Sequence, residues 1–314
     1  MITITRWRDV RRFSMTEVEQ VLCSEHSDET DDKYSNYIRW SIKKEFPENK
    51  KSFFNGNEVE YNYYTFSVVQ VPKDSSIEDG VKKEGFLIVF LVNGNIKYII
   101  NKNSDAQHIL RKLLKYTGKN EIVKEPRHIS KDMFVWLICK VYQQNNLLKS
   151  ESKDLKDLTL TSIRGFKGDT EDYSTKVSAE GESVTNIIST LSFLIESRNL
   201  NQISLDLSYG NNDNIELKMT SADGISVNEE RYLGDLLQEY DPLEAKAHLV
   251  LLIYSEIIPL IKQTYNTECE TAKWDMTTCI NFLQEVAKDL SDKVSARIEE
   301  LNKEPEQLQL QITE

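Results

Sequence analysis

The chain has 314 residues, 39% of them hydrophobic, which is enough apolar material for a packed core and argues against a wholly disordered protein. It contains only 11 glycines and 6 prolines, so collagen-like and other low-complexity classes are excluded. A net charge of −12 disfavours a protein that coats DNA without sequence preference, because neutralisation of phosphates supplies most of that affinity.

The cellular location is predicted from the N-terminus, the longest apolar segment and the cysteines. The N-terminal residues include arginines but no apolar stretch after them, so we expect no secretory signal peptide. The longest apolar segment, 247–261, contains His248 and is shorter than the roughly 18–20 residues that span a bilayer. We expect a buried helix there, with His248 in the core or at its boundary, and no membrane insertion. The cysteines form no CxxC pair, which is typical of a reduced cytoplasmic protein.

The first half of the chain, residues 1–120, is predicted to be an α+β domain built on a small antiparallel sheet. Between residues 34 and 46, apolar side chains recur at spacings of three and four, which predicts an amphipathic helix ended by Pro47. From Val59 to Pro72 the pattern changes to the alternation of a strand. We therefore expect a helix followed by the first part of the sheet.

The clearest local signal in this half is a β-hairpin at Asn93-Gly94. The segments 86–92 and 95–100 flank this pair, which adopts positive φ at low cost in a two-residue turn. The first segment is apolar at every position, which predicts a central strand covered on both faces. After the hairpin, a capping box at Ser104 predicts the start of a helix.

The second half, residues 121–314, is predicted to be another α+β domain with its own small antiparallel sheet. Ser130 is placed to cap an apolar helix, and apolar residues over 184–195 recur as they do in a helix. Apolar and polar side chains alternate over 203–209 and 215–219, which predicts a hairpin with one apolar face and one solvent-exposed face. A short third strand is expected to follow it.

The C-terminal third is predicted to be mostly α-helical. A long helix over 244–265 contains Pro259, which lacks a backbone donor and is expected to bend it. From Met276 to Leu301, mostly apolar residues follow one another in steps of four and three, as in a heptad repeat. A single helix cannot bury such a stripe alone, so this helix is expected either to pair within the chain or to meet another subunit. The predicted interface residues are Ile280, Leu283, Leu290, Val294 and Leu301.

Asp206, Glu216 and Lys218 form a candidate catalytic site. Divalent-metal nucleases often place an Asp on one strand and Glu-x-Lys on its neighbour, because carboxylate oxygens bind Mg²⁺ and the lysine helps to activate a water. Alternation puts all three residues on the polar face of the predicted hairpin. We favour ordinary cross-strand charge pairing for them, and we expect no cofactor or metal unless the nuclease hypothesis holds.

Two basic segments are candidates for binding phosphate or nucleic acid. In 164–170, Arg164 and Lys167 accompany two glycines three residues apart, a spacing that lets backbone amides approach a phosphate, as in the GxxG loop of KH modules. Acidic residues follow directly, so we favour a turn that leads into a polar loop. In the N-terminal segment, aromatic residues are interleaved with a cluster of arginines, for which we favour a protein partner over nucleic acid. These are Arg6, Arg8, Arg11 and Arg12.

No family is recognised from these residues, and the common signatures of serine hydrolases, P-loop NTPases and dinucleotide-binding enzymes are missing. We therefore predict a non-enzymatic interaction or scaffold subunit. The abundance of Lys, Asn and Ile suggests a bacterial coding sequence. The missing catalytic signatures and the apolar C-terminal stripe favour a subunit of a multi-component system, with antiviral defence against phage as one setting. The partner would be another protein or a second copy, bound through the C-terminal helix. The alternatives are a metal-dependent nuclease and a nucleic-acid-binding sensor.

Overall fold

The computed structural model describes residues 1–28, 35–73, 75–118, 120–125, 129–150, 155–169, 176–180 and 199–312. It confirms a mixed α and β fold with 35% helix and 38% strand. The first part contains β1 (Ile2–Asp9), α1 (Met15–Leu22), β2 (Ser35–Lys44), β3 (Lys50–Phe54), β4 (Asn57–Pro72), β5 (Val81–Val92), β6 (Asn95–Ile100), α2 (Ala106–Leu113) and β7 (Ile122–Lys124). The second part contains α3 (Lys131–Tyr142), β8 (Leu147–Leu148), β9 (Leu158–Asp169), β10 (Lys176–Glu180), β11 (Asn199–Tyr209), β12 (Asn212–Thr220), β13 (Ile225–Asn228), β14 (Leu233–Gly234), α4 (Leu236–Glu239), α5 (Pro242–Leu252), α6 (Ile258–Glu270) and α7 (Met276–Ile312).

The described strands form one large antiparallel sheet, which corrects the prediction of two small ones. Its main path runs β10-β9-β11-β12-β13-β1-β6-β5-β4-β2, and β3, β7, β8 and β14 pair beside that path. β1 joins the two groups of strands, because Ile2–Ile4 pair with β13 while Thr5–Arg8 pair with β6. The sequence interpretation missed this link because it treated the start of the chain as a basic segment rather than a strand. The boundary near residue 120 stays a prediction.

Both faces of β5 are covered, as its uninterrupted apolar run predicted. Phe86, Ile88 and Phe90 lie in a core shared with α3, α5, α6 and the start of α7. Leu87 and Val89 point the other way and pack with α1 and α2. Successive side chains of a strand alternate between faces, so a strand that is apolar throughout needs a helical layer on each side. The structure supplies both layers.

The helix predicted over 34–46 is wrong, since most of this segment is β2, which ends the described path of the sheet and pairs with β4. The ladder between these strands contains a bulge. Ile38 pairs with Val69 and Ser41 pairs with Ser67, which leaves one extra residue on β2. The extra residue shifts the alternation of buried side chains, and this shift produced the helix-like spacing in the sequence.

Predictions that rest on turn and cap chemistry are largely confirmed. Asn93 and Gly94 have φ values of 50° and 71° and join β5 to β6. β11 and β12 form the second predicted hairpin, and β13 adds the third strand. The Ser130 side chain caps α3 by accepting a hydrogen bond from the backbone N–H of Met133 at 3.1 Å. The capping box at Ser104 is wrong, because the first turn of α2 has no side-chain cap.

The long helix predicted over 244–265 is interrupted near Pro259. α5 passes into a wider, π-helical turn over Ile253–Ile257, and α6 follows with Pro259 in its first turn. Proline cannot donate to the carbonyl four residues back, so the regular hydrogen-bond ladder is broken there. The helix predicted over 184–195 lies outside the described residues. No helix in the described ranges combines the length and hydrophobicity that a membrane crossing requires.

Candidate functional site

The C-terminal helix α7 carries the predicted interface, and its first turn is anchored to the rest of the protein. Asp275 accepts hydrogen bonds from the backbone N–H of Thr278 at 2.7 Å and from its hydroxyl at 2.9 Å, and these bonds lower the pKa of the Asp275 carboxyl. Trp274 is buried, and its indole N–H donates to Asp132 of α3 at 2.7 Å. The Asp275 bonds stabilise the first turn of α7, and the Trp274 bond attaches the start of the helix to α3.

The proximal part of α7 packs against α3. Phe282 and Val286 are buried, and the Tyr142 ring lies edge-on to Phe282 with the two centroids 5.6 Å apart. The Tyr142 hydroxyl also donates to the carboxylate of Asp289. Leu283 lies partly buried beside the same core. This part of the helix is therefore held by both apolar and polar contacts.

Large apolar side chains of α7 also lie in solvent, along a line that we call the outer stripe. Val294, Ile298 and Leu301 are 45%, 54% and 47% exposed, and Met276 and Ile280 are exposed as well. At 100° per residue, these five positions lie about 80–140° around the helix from the midpoint between the buried Phe282 and Val286. Beyond residue 290 nearly every described side chain of α7 is exposed. The outer stripe therefore continues past the part of the helix that packs against α3.

The structure divides the predicted interface residues between two surfaces. Ile280, Val294 and Leu301 belong to the outer stripe. Leu283 instead packs against the core, and Leu290 is half-buried. The heptad pattern correctly singled out a helix with an apolar stripe, but it did not separate the side that faces α3 from the side that faces solvent.

One member of the outer stripe, Ile298, was not predicted. The heptad pattern selects Arg297 instead of Ile298 as the stripe position between Val294 and Leu301, because it assumes 3.5 residues per turn. A straight helix has 3.6 residues per turn, so the stripe drifts by one position and Ile298 joins Val294 on the exposed side. The signal that identifies Ile298 is therefore the plain helical period.

Asp206, Glu216 and Lys218 lie on the polar face of β11 and β12, with Asp206 directly opposite Glu216. Asp206 is buried, and its two carboxylate oxygens bind the Arg164 guanidinium at 2.6 Å and the Ser162 hydroxyl at 3.1 Å. A metal ion bound at Asp206 would have to displace the guanidinium or share the carboxylate with it. Arg164 and Asp206, which were assigned to two different candidate sites, thus neutralise each other.

Glu216 also has polar partners on the same face. It accepts a hydrogen bond from the Asn228 amide at 2.9 Å, and the Arg231 guanidinium lies 3.7 Å away. In the part of the chain that the structure describes, no three His, Cys, Asp or Glu side chains are grouped so as to hold a metal ion. The nuclease hypothesis stays a prediction, and the ion pairs give the same residues an ordinary structural role.

The segment that contains Arg164 and Lys167 is not a turn or a loop, which corrects our interpretation. β9 continues through it to Asp169 and lies between β10 and β11. Gly165 and Gly168 are paired in the ladders with both neighbouring strands. Their backbone is therefore held in a sheet, where it does not form the concave loop that cradles a phosphate.

The four N-terminal arginines do not share one environment. Arg6 lies in β1 and forms an ion pair with Glu125 at 2.6 Å. The Arg12 guanidinium lies over the Tyr116 ring, 4.3 Å from its centroid. The other two arginines of the cluster are exposed: Arg8 and Arg11. A nucleic-acid surface built from all four would require Arg6 and Arg12 to leave these contacts.

A buried polar cluster joins α5 to β4, and sequence inspection predicted only its central histidine. His248 is 4% exposed, and its Nε2 lies 2.7 Å from the Tyr61 hydroxyl. The Tyr240 ring stacks on His248 with centroids 4.0 Å apart. Glu244, one helical turn before His248, pairs with Lys50 at 3.1 Å. Burial lowers the pKa of His248 to about 4, and the nearby Glu244 charge offsets part of this effect.

We expect this histidine to make stability depend on pH. As the pH falls below about 6.5, His248 binds a proton in the unfolded chain but not in the folded one, so the free energy of unfolding decreases until about pH 4. The loss is about 3 kcal/mol for a shift of this size. Urea unfolding of the wild type and His248→Gln at pH 7 and pH 5 checks this. The two proteins should diverge in their pH dependence, and parallel profiles would contradict the prediction.

Comparison of the chain with protein-family models and with curated proteins gave no match.

Proposed function

We propose that this protein is a non-enzymatic interaction subunit that self-associates through the outer stripe of α7. The observation that supports the proposal is the exposure of Val294, Ile298 and Leu301 on consecutive turns of one helix. Isolated exposed apolar residues are normal on protein surfaces, whereas a contiguous apolar line is typical of an interaction site. Helices with such a line gain stability when a second helix covers it.

The charge along the outer part of α7 is compatible with a second copy of the chain as the partner. Two molecules with a net charge of −12 repel each other over most of their surfaces. Residues 287–303 are different, because their four basic and four acidic side chains cancel. Two copies can therefore approach along this segment with little net repulsion. A stripe that meets its own copy about a two-fold axis forms a closed dimer and leaves no further stripe exposed.

The proposal is tested by measuring the mass of the full chain in solution by light scattering over a range of concentrations. We expect the wild type to reach twice its 36.4 kDa monomer mass. Val294→Glu combined with Ile298→Glu should raise the dissociation constant by about 100-fold or more, because each carboxylate would be buried in an apolar contact.

A matched variant controls for the added charge. Asn281→Glu combined with Ala296→Glu adds the same charge at exposed positions of α7 that lie about 100–160° from Ile298. This variant should dimerise as the wild type does. A wild type that is monomeric at every concentration would refute the proposal, and so would an equal loss of mass in both double variants.

A further inference from the structure

A cavity lies between α3, β8 and α6, away from the outer stripe. It has a volume of about 550 Å³, which is within the range of small-molecule sites. Its lining comes from three separate stretches of chain: the end of α3, the segment through β8, and α6 with the turn that follows it. Such a cavity exists only in the folded chain.

The described lining of this cavity is positively charged, although the chain as a whole is acidic. It contains three lysines, Lys140, Lys149 and Lys273, and a single acidic residue, Glu268. Both carboxylate oxygens of Glu268 are already engaged, one by the Lys140 ammonium at 2.6 Å and the other by the Trp136 indole N–H at 2.8 Å. The lining therefore has an excess of two positive charges.

One of these lysines is held in place before any ligand arrives. The Lys140 side chain is only 11% exposed, and its ammonium lies 5.7 Å from the centroid of the buried Trp136 ring. An ammonium has three N–H donors, and the ion pair with Glu268 uses one of them. Lys149 and Lys273 are exposed and come from two different stretches of the lining, so their long, flexible side chains are free to turn toward a ligand.

The remaining lining suggests the chemical class of the ligand. Asn145 and Gln263 present side-chain amides, and Thr267 presents a hydroxyl, which are neutral donors for phosphate oxygens. Leu147, which is 44% exposed, and Leu260 give the wall an apolar part. We propose that this cavity binds a small phosphorylated molecule, with its phosphate or pyrophosphate group between Lys140, Lys149 and Lys273.

The test adds inorganic pyrophosphate to the full chain. Binding is measured by isothermal titration calorimetry and, separately, by tryptophan fluorescence. The fluorescence readout is included because Trp136 is bonded directly to Glu268. We expect binding of one pyrophosphate per chain. Lys149→Gln combined with Lys273→Gln should weaken it about tenfold or more, and both substitutions are at exposed positions that leave the fold unchanged.

The matched control is Lys51→Gln combined with Lys82→Gln, which removes the same charge from two exposed lysines outside this cavity. This variant should bind pyrophosphate within about twofold of the wild type, since distant surface charges are screened by salt. No binding in either assay, or an equal loss in both double variants, would overturn the proposal. Displacement of pyrophosphate by a single-stranded oligonucleotide would also overturn it, because the ligand would then be a nucleic-acid backbone.

Discussion

Replacing Asp9 by alanine is expected to lower the free energy of unfolding by about 3–5 kcal/mol, because it removes the acceptor from a buried network. Asp9 is 2% exposed and lies at the end of β1, the strand that joins the two groups of strands. Its carboxylate accepts hydrogen bonds from the hydroxyls of Tyr98 and Tyr116 and from the backbone N–H groups of Arg11 and Arg12. Alanine would leave these four donors without their acceptor.

The network also affects the tyrosines. Burial, followed by the Asp9 charge, raises the pKa of Tyr98 well above its ordinary value. For Tyr116, burial raises the pKa and the hydrogen bond to Asp9 adds to the effect. Both phenols therefore stay protonated and remain donors at neutral pH. In Asp9→Ala, the two hydroxyls would therefore remain protonated donors that lack the acceptor supplied by Asp9.

Urea unfolding at pH 7 checks the expected loss. Asp9→Asn keeps the shape of the side chain and one acceptor oxygen, so it should fall between the wild type and Asp9→Ala. Asp213→Ala is a matched control, because Asp213 is an exposed aspartate on β12, and its change should stay within about 0.5 kcal/mol. An Asp9→Ala protein within about 1 kcal/mol of the wild type would contradict the role of the network.

The second large effect is expected at Phe282, where alanine should destabilise the protein by about 3–5 kcal/mol. Phe282 is 1% exposed and contacts the Tyr142 ring of α3. Its removal would leave a cavity where α7 meets the core. The preceding residue, Asn281, is exposed, and Asn281→Ala should change stability by no more than about 0.5 kcal/mol.

The docking of α7 is tested by comparing the denaturant midpoints of these two variants. If their unfolding slopes are equal, a shift of the midpoint reports a change in the free energy of unfolding. A large loss for Phe282→Ala with none for Asn281→Ala is the expected result. Equal and small effects would mean that the proximal part of α7 contributes little to the fold. The comparison is independent of self-association when both variants are measured in the background of Val294→Glu with Ile298→Glu.

The elements that could be predicted from the sequence are those whose stability depends on near neighbours. Asn93-Gly94 forms its turn because both residues accept positive φ, whatever the sheet around them does. Ser130 caps α3 through a bond to a residue three positions away. The apolar run of β5 correctly indicated cover on both faces, although it did not say which helices supply that cover.

The candidate sites were less predictable, because each depends on residues that are distant in the chain. Alternation correctly placed Asp206 and Glu216 on one face, but the partner of Asp206 is Arg164 on β9. No local pattern distinguishes a free carboxylate from one that a guanidinium occupies. The same limit applies to Arg6, whose partner Glu125 follows more than a hundred residues later.

Periodicity and turn chemistry were sufficient to predict the hairpins, the cap of α3, the break near Pro259 and an apolar stripe on the last helix. Tertiary pairing determined the rest: β1 became the strand that joins the sheet, the bulged segment after residue 34 became β2, and α7 divided into a packed part and an exposed part. The physical reason is that local preferences are worth about 1 kcal/mol or less per residue. Strand pairing and burial against a distant element outweigh them.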